Sequence, residues 1–191
     1  GNVLRGNGGD GIYLASNGTD DITILGNEIA GNGGLGIDID PNAVNTNDAG
    51  DVDTGPNDLL NFPEITSASE TGGTVSVDFD LDVPNGNYRV EFFDNTAADG
   101  SGNGEGETWV SSVDVSVTGG VPTPASHTFA GSVGDIITAT TTEGTAAPFG
   151  STSEFSAAVT VVPGALVVNS TGDAADNNPG NGACDTGGTN S

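Results

Sequence analysis

Gly1-Asn-Val-Leu-Arg-Gly-Asn-Gly-Gly-Asp-Gly-Ile-Tyr-Leu14 aligns without a gap on Gly26-Asn-Glu-Ile-Ala-Gly-Asn-Gly-Gly-Leu-Gly-Ile-Asp-Ile39, an offset of 25 residues (26 − 1). A period in this range, made of Asn-Gly turns and brief apolar strands, is the mark of a parallel β-helix. Each coil pairs its backbone with the next along the axis. Ile12 is then expected to stack on Ile37 and Leu14 on Ile39 inside the tube, with Asn7 over Asn32 as a ladder at the turn.

Outward from the repeat the pattern changes twice. Between Asp38 and Phe62 it dissolves into an oxygen-rich loop that ends in Leu59-Leu60-Asn-Phe62-Pro63. From Glu64 to Val162 the period is two: Val75, Val77, Phe79 and Leu81 alternate with polar residues, as do Tyr88, Val90 and Phe92, and Val113, Val115 and Val117. Ile65–Ser69, His127–Ala130, Ile136–Thr141 and Phe155–Val161 read as further strands. About seven short strands between Gly, Pro and Asp turns predict a two-sheet sandwich, with Trp109 and Phe129 as core plugs. Pro163-Gly164 resets the pattern before one more strand, Leu166-Val-Val-Asn169, and a polar tail. The reading is all-β: a short parallel β-helix segment with an acidic loop (1–62), an Ig-like antiparallel β-sandwich (63–163) and a C-terminal arm (164–191).

Composition agrees with strands and turns. The 191 residues are 34% hydrophobic but 5% aromatic, with 32 Gly and no Met, and Val, Ile and Thr recur in short runs. Arg5 and Arg89 are the whole basic complement against 27 Asp and Glu, for a net charge of −25. Nucleic acid and anionic lipid are therefore poor partners, since their phosphates would be repelled. So many carboxylates strain a compact state unless salt screens them or divalent cations neutralise them locally. No apolar run approaches a membrane span. The lone Cys184 rules out an intramolecular disulfide. Asn17-Gly-Thr and Asn169-Ser-Thr are glycosylation sequons, a motif of low specificity. Opening at Gly1 without Met or signal peptide, the chain reads as a processed product or a piece of something longer.

Several phrases resemble large bacterial surface proteins of the CSLREA type. Gly36-Ile-Asp-Ile-Asp40 with Asn47-Asp-Ala-Gly-Asp-Val-Asp-Thr-Gly-Pro-Asn-Asp-Leu-Leu-Asn-Phe-Pro63 is similar to the end of their β-helix. Tyr88-Arg-Val-Glu-Phe-Phe-Asp-Asn95, Gly104-Glu-Gly-Glu107, Ile137-Thr-Ala-Thr140 and Ser153-Glu-Phe-Ser156 resemble the sandwich that follows there. Val167 to Gly188 resembles the opening of the next unit. The name-giving hexapeptide, which should follow Gly188, is missing, so Cys184 lacks its usual downstream partner. The resemblance implies a secreted or surface-displayed protein.

The residues that carry chemistry are mostly carboxylates. Asp38, Asp40, Asp48, Asp51, Asp53 and Asp58, with Asn45 and Asn47, offer oxygens spaced so that one loop can wrap a cation. Ca²⁺ takes six to eight oxygens in irregular geometry, whereas bare carboxylates about 4 Å apart repel by roughly 4 kcal/mol at an intermediate dielectric. The alternative is a solvated acidic loop. Asp94, Asp99, Glu105 and Glu107 form a second such group in a long hairpin loop, and Asp173, Asp176 and Asp185 a third in the tail.

Enzymatic readings are weak. Arg5 stands alone in the helical part and reads as a solvated coil residue. His127 sits in an alternating strand with no nucleophile signature beside it and reads as a surface residue. Nothing near Cys184 would lower its pKa. No catalytic residue is therefore expected.

The expected function is structural or adhesive and extracellular, with Ca²⁺ as the stabilising ion. Two coils are fewer than the three repeats a continuous core needs, and the open first coil invites strand addition. The expected partner is another copy of the chain, joined head to tail through the C-terminal arm, or the same joint made covalently within a longer tandem protein. A carbohydrate-binding module or stalk segment of an adhesin is the alternative, and a polysaccharide lyase comes third. An exposed Trp109 beside a shallow groove would favour glycans.

Overall fold

The computed structural model describes residues 1–165 except Asn17, Asn42 and Val121. The arm from residue 166, Asn169, Cys184, the tail carboxylates and the Asn17 sequon position lie outside the described residues. Within them the protein is all-β. The only helical element is a single tight turn, Pro56–Leu59, whose Asn57, Asp58 and Leu59 have positive φ.

Four three-residue strands come first: β1 (Val3–Arg5), β2 (Ile12–Leu14), β3 (Glu28–Ala30) and β4 (Ile37–Ile39). β1 pairs with β3 and β2 with β4, both parallel. Ile12 lies opposite Ile37 and Leu14 opposite Ile39, the register the repeat predicts. Asn32 Oδ1 accepts the Asn7 amide and side-chain nitrogen at 3.1 and 2.8 Å, and Asn27 Oδ1 does the same for Asn2 at 2.9 and 3.0 Å. The ladder therefore has two rungs, and the second was not foreseen.

Eight strands follow in two four-stranded sheets. One runs β11 (Val159–Thr160), β10 (Ile136–Glu143), β7 (Gly86–Asn95), β8 (Thr108–Val117). The other runs β12 (Val162–Pro163), β5 (Glu64–Thr71), β6 (Thr74–Leu81), β9 (Thr123–Ala130). Every pairing is antiparallel except β12 with β5. The sheets share a core of Val75, Val77, Phe79 and Leu81 from one side and Tyr88, Val90, Phe92, Ile137 and Ala139 from the other. Phe79 meets Phe92 edge to face at 5.4 Å. Burying each such side chain contributes about 1.5–3 kcal/mol.

Alternation on β7 and β10 has a second consequence. Phe92 points into the shared core, and Phe93, next along β7 and opposite a bulge at Val110 of β8, points towards the parallel strands. There Phe93 and Phe155 pack with Leu14, Ile24, Ile29, Ile37 and Ile39 in a second core. Phe155 lies so close to the backbone that a Cβ on Gly106 or Gly36 would come within 2.6 or 2.8 Å of its ring, which is why both positions are glycine. Ile29 and Gly106 also exchange backbone hydrogen bonds, N to O, at 2.8 and 2.9 Å.

Two expectations fail here. Trp109 is no core plug: it is 42% exposed on β8, an edge strand, where a bulge at Val110 shifts the β8 register. Of the predicted strand Phe155–Val161 only β11 forms, since residues 151–156 are buried between the parallel strands and β10 and bond to both.

Candidate functional site

The acidic loop is shaped by asparagine. Asn61, 3% exposed, accepts the Asp48 amide at 3.1 Å and donates to Asp48 O at 2.8 Å and Asp82 O at 2.6 Å. Its own amide donates to Asp51 Oδ1 at 2.9 Å. Asn47 accepts from and donates to the Phe62 backbone. Gly50 and Asp51 have positive φ, which folds the loop back on itself. Asp48, Asp51 and Asp53 thereby present carboxylate oxygens all within 4.8 Å of one another. Burial, and then the charges of Asp53, Asp48 and Asp58, push the Asp51 carboxyl up to about 7 against the Asn61 bond. Burial also raises Asp53.

Of the loop residues named from sequence, these three are brought together. Asp58 sits in the left-handed turn, near enough for its charge to act on Asp51. Asp38 and Asp40 lie apart, by Tyr13 and Asp10. Asn45 is spent as a donor to Ile39 O and Glu154.

The hairpin-loop group is dispersed. Asp94 is raised by burial and then by Asp135. Asp99 closes its own turn through the Ser101 amide at 2.8 Å; burial opposes ionisation there, but the Ser101 bonds prevail and hold the carboxyl below its usual range. Glu105 accepts the Gly31 amide and, at 2.8 Å, Asn32 Nδ2. Glu107 takes the Thr96 amide and hydroxyl at 2.9 and 2.7 Å, which lower its pKa, and pairs with Arg5 at 3.2 Å. Arg5 is thus engaged by the hairpin loop and by Glu28 at 3.7 Å, where a free coil residue was expected. His127 likewise differs from expectation: it is half-buried, stacks on Phe92 at 5.6 Å and bonds Ser111 Oγ at 2.8 Å. Burial lowers its pKa.

Sequence reasoning missed the buried glutamates that hold the two regions together. Glu154 accepts Ile39 N at 2.8 Å and Asn45 N at 2.9 Å, and burial still pushes it up to about 7. Glu91 accepts Gly26 N at 2.8 Å and Trp109 Nε1 at 2.9 Å. Asn57 is fully buried and bonds Ile22 N and O and Thr152 O. Each of these glutamates sits on the polar side of an alternating strand or in a polar run, where a charge normally signals solvent.

The remaining feature is an edge. Glu28 N donates to Asn2 O and Ile12 N to Gly36 O, both at close range. Strand alternation then turns the amides of Val3, Arg5 and Tyr13 outward, where β1 and β2 have no strand partner among the described residues. Val3 is 64% and Tyr13 46% exposed there. No protein-family model matches this chain, and no curated protein matches it.

Proposed function

We propose that the protein is a structural or adhesive extracellular module, whose short right-handed parallel β-helix and Ig-like sandwich are joined head to tail with other copies by strand addition. The observation that carries this is the unpaired outer edge of β1 and β2, with outward amides beside half-buried Leu4 and Ile12. An edge of this kind takes a further strand with main-chain hydrogen bonds. A contact between two different surfaces that does not close on itself propagates as a filament. The resemblance to CSLREA-type surface proteins and the low number of basic residues support an extracellular setting, and Ca²⁺ at Asp48, Asp51 and Asp53 would relieve the mutual repulsion of the loop. No catalytic residue belongs to this reading.

Deleting residues 165–191 tests it. The full chain should sediment as a concentration-dependent series and the truncated chain as a monomer. A full chain that stays monomeric at high concentration, or a truncated chain that polymerises as before, refutes the joint. Chelation with EDTA at low ionic strength should also lower the melting temperature, because an ion bound at a hundred times Kd adds about 2.7 kcal/mol; an unchanged melting curve removes calcium from the reading.

One observation favours a second reading. Trp109 is exposed on an edge strand, with its indole N–H tied to Glu91 and its ring left at the surface. Exposed indole rings bind the apolar faces of sugars, so a glycan site is the alternative. Binding to an oligosaccharide panel, lost in Trp109→Ala, would establish it.

A further inference from the structure

The asparagine ladder has a direction. Asn32 Oδ1 accepts the Asn7 amide and side-chain nitrogen, and Asn32 in turn donates its own amide and Nδ2 to Glu105 Oε1 at 3.3 and 2.8 Å. Each rung thus accepts from the coil before it and donates towards the sandwich, where a carboxylate ends the series. At the other end the series is unfinished. By the repeat, Asn7 Oδ1 faces the outer edge of β1, and it meets no donor among the described residues. Two further features mark that edge. Leu4, opposite Ile29 in the register, is only half-buried against the small core. Gly6 and its repeat mate Gly31 both end their strands at positive φ, 69° and 65°. A strand added outside β1 therefore needs an apolar residue over Leu4, a residue that accepts positive φ over Gly6, and a hydrogen-bond donor over Asn7.

Leu166-Val-Val-Asn-Ser170 meets those needs when Val167 is set over Leu4. Asn169 then falls over Gly6 and Ser170 over Asn7. Asparagine accepts positive φ more readily than other residues with a side chain. A serine amide and hydroxyl both donate, as the Asn7 amide and side-chain nitrogen do one coil further in. Setting Leu166 over Leu4 instead would put Val168 over Gly6, where a β-branched residue is strained.

The segment cannot serve its own copy. The second coil rests on the outer face of the sheet containing β7 and β10, where Glu91 bonds Gly26 and Phe93 enters the coil core. Gly164 is tied by its amide to Glu70 O at 2.7 Å, in the other sheet. Packed sheets lie about 10 Å apart, so a sheet and a coil separate Gly164 from the first coil, whereas the two residues from Gly164 to Leu166 span at most about 7 Å. We propose that residues 166–170 of one copy pair in parallel with β1 of a second copy, with Val167 over Leu4, Asn169 over Gly6 and Ser170 over Asn7. This rests on the head-to-tail reading and supplies its register: the added strand lengthens the ladder by one rung.

Disulfide trapping between full-length chains tests the register, with Cys184→Ser in both to remove the native thiol. A chain with Leu4→Cys is mixed with one bearing Leu166→Cys, Val167→Cys or Val168→Cys and oxidised. Val167→Cys should cross-link at least tenfold more than either neighbour, whose side chains point to the other face of the strand. Sedimentation of chains that keep Cys184 gives a second readout that needs no engineered thiol. Asn169→Gly should associate as tightly as the wild type and Asn169→Val at least tenfold more weakly, because only the first accepts positive φ. Ser170→Ala should weaken association severalfold. Cross-linking strongest through Leu166→Cys or Val168→Cys, or association of Asn169→Val equal to that of the wild type, overturns the register and leaves head-to-tail joining standing. Wild-type chains that do not associate at all overturn both.

Discussion

The two four-stranded sheets are built from similar sequence and meet different surroundings. In the sheet containing β5, β6 and β9, one face is buried and the other is wet: β6 alternates between buried and more open residues along its length. In the sheet containing β7 and β10, both faces are covered. Six consecutive residues of β10, Ile137–Thr142, are buried, although four of them are threonine. Ile137 and Ala139 serve the shared core, while Thr138 donates to Glu105 O and Thr142 meets Thr152 Oγ1 at 2.9 Å on the side of the parallel strands. A period-two pattern thus reports which face is apolar. It does not report which face is dry.

The difference also shows how the parallel strands are held. Their own core is small, a few side chains from residues 4–39, and it is completed by Phe93 from the antiparallel sheets and by Phe155. Directed polar contacts add to it, among them those of Glu91, Glu105 and Glu154 to the backbone amides of Gly26, Gly31 and Ile39. Truncating Phe155 should therefore have the largest effect. Phe155→Ala should cost about 3–5 kcal/mol, and hydrogen exchange should show the parallel strands losing protection while β5, β6 and β9 keep theirs. Uniform loss across both regions would mean that they unfold as one unit.

Next in size are the glutamates. Glu154→Ala leaves the buried Ile39 amide without an acceptor, at about 1–3 kcal/mol, and Glu105→Ala, which frees the more open Gly31 and Asn32 amides, should cost less. The loss should again appear first in the coils by hydrogen exchange, and Glu→Gln should restore part of it. Full stability in either alanine variant would show that water replaces the side chain.

Glu154 sharpens the comparison through pH. Its carboxyl is raised in the folded protein to about 7, whereas in the unfolded chain it titrates near 4.3. The folded state therefore holds the extra proton between these values. Stability from this group is fully present below about pH 4.3 and lost as pH rises to about 7. The melting temperature of the wild type in EDTA should decline over that window, more steeply than that of Glu154→Gln. Parallel profiles would place the titration elsewhere. The smallest expected effect is on the ladder: Asn7→Ala should cost about 0.5–1.5 kcal/mol, read as a modest shift in the urea midpoint.

Much of this architecture was legible in the residues. The 25-residue offset predicts the strand registers and the Asn7–Asn32 rung because repetition in sequence becomes stacking in space. The alternating runs predict β6, β7 and β8 because each has one apolar face. What escaped is the surface where the regions meet. Glu91 and Thr138 lie on the non-core side of alternating strands, Glu154 and Asn57 in largely polar runs, and only the arrival of a distant backbone makes them interior. Trp109 was misplaced for a related reason, since a single-residue bulge at Val110 of β8 shifts the register and is invisible in composition. The acidic loop was legible in part: Asp48, Asp51 and Asp53 converge because Asn61 and Gly50 bend the chain. Asp38 separates from them because it belongs to β4.

The most direct test of head-to-tail joining is amide hydrogen exchange of the full chain at increasing protein concentration. The outward amides of Val3, Arg5 and Tyr13 should exchange freely when dilute and become protected as copies associate, with the β8 and β9 edges unchanged. Exchange at these three amides that is independent of concentration, or protection that builds at β8 or β9 instead, would contradict joining through the open coil edge.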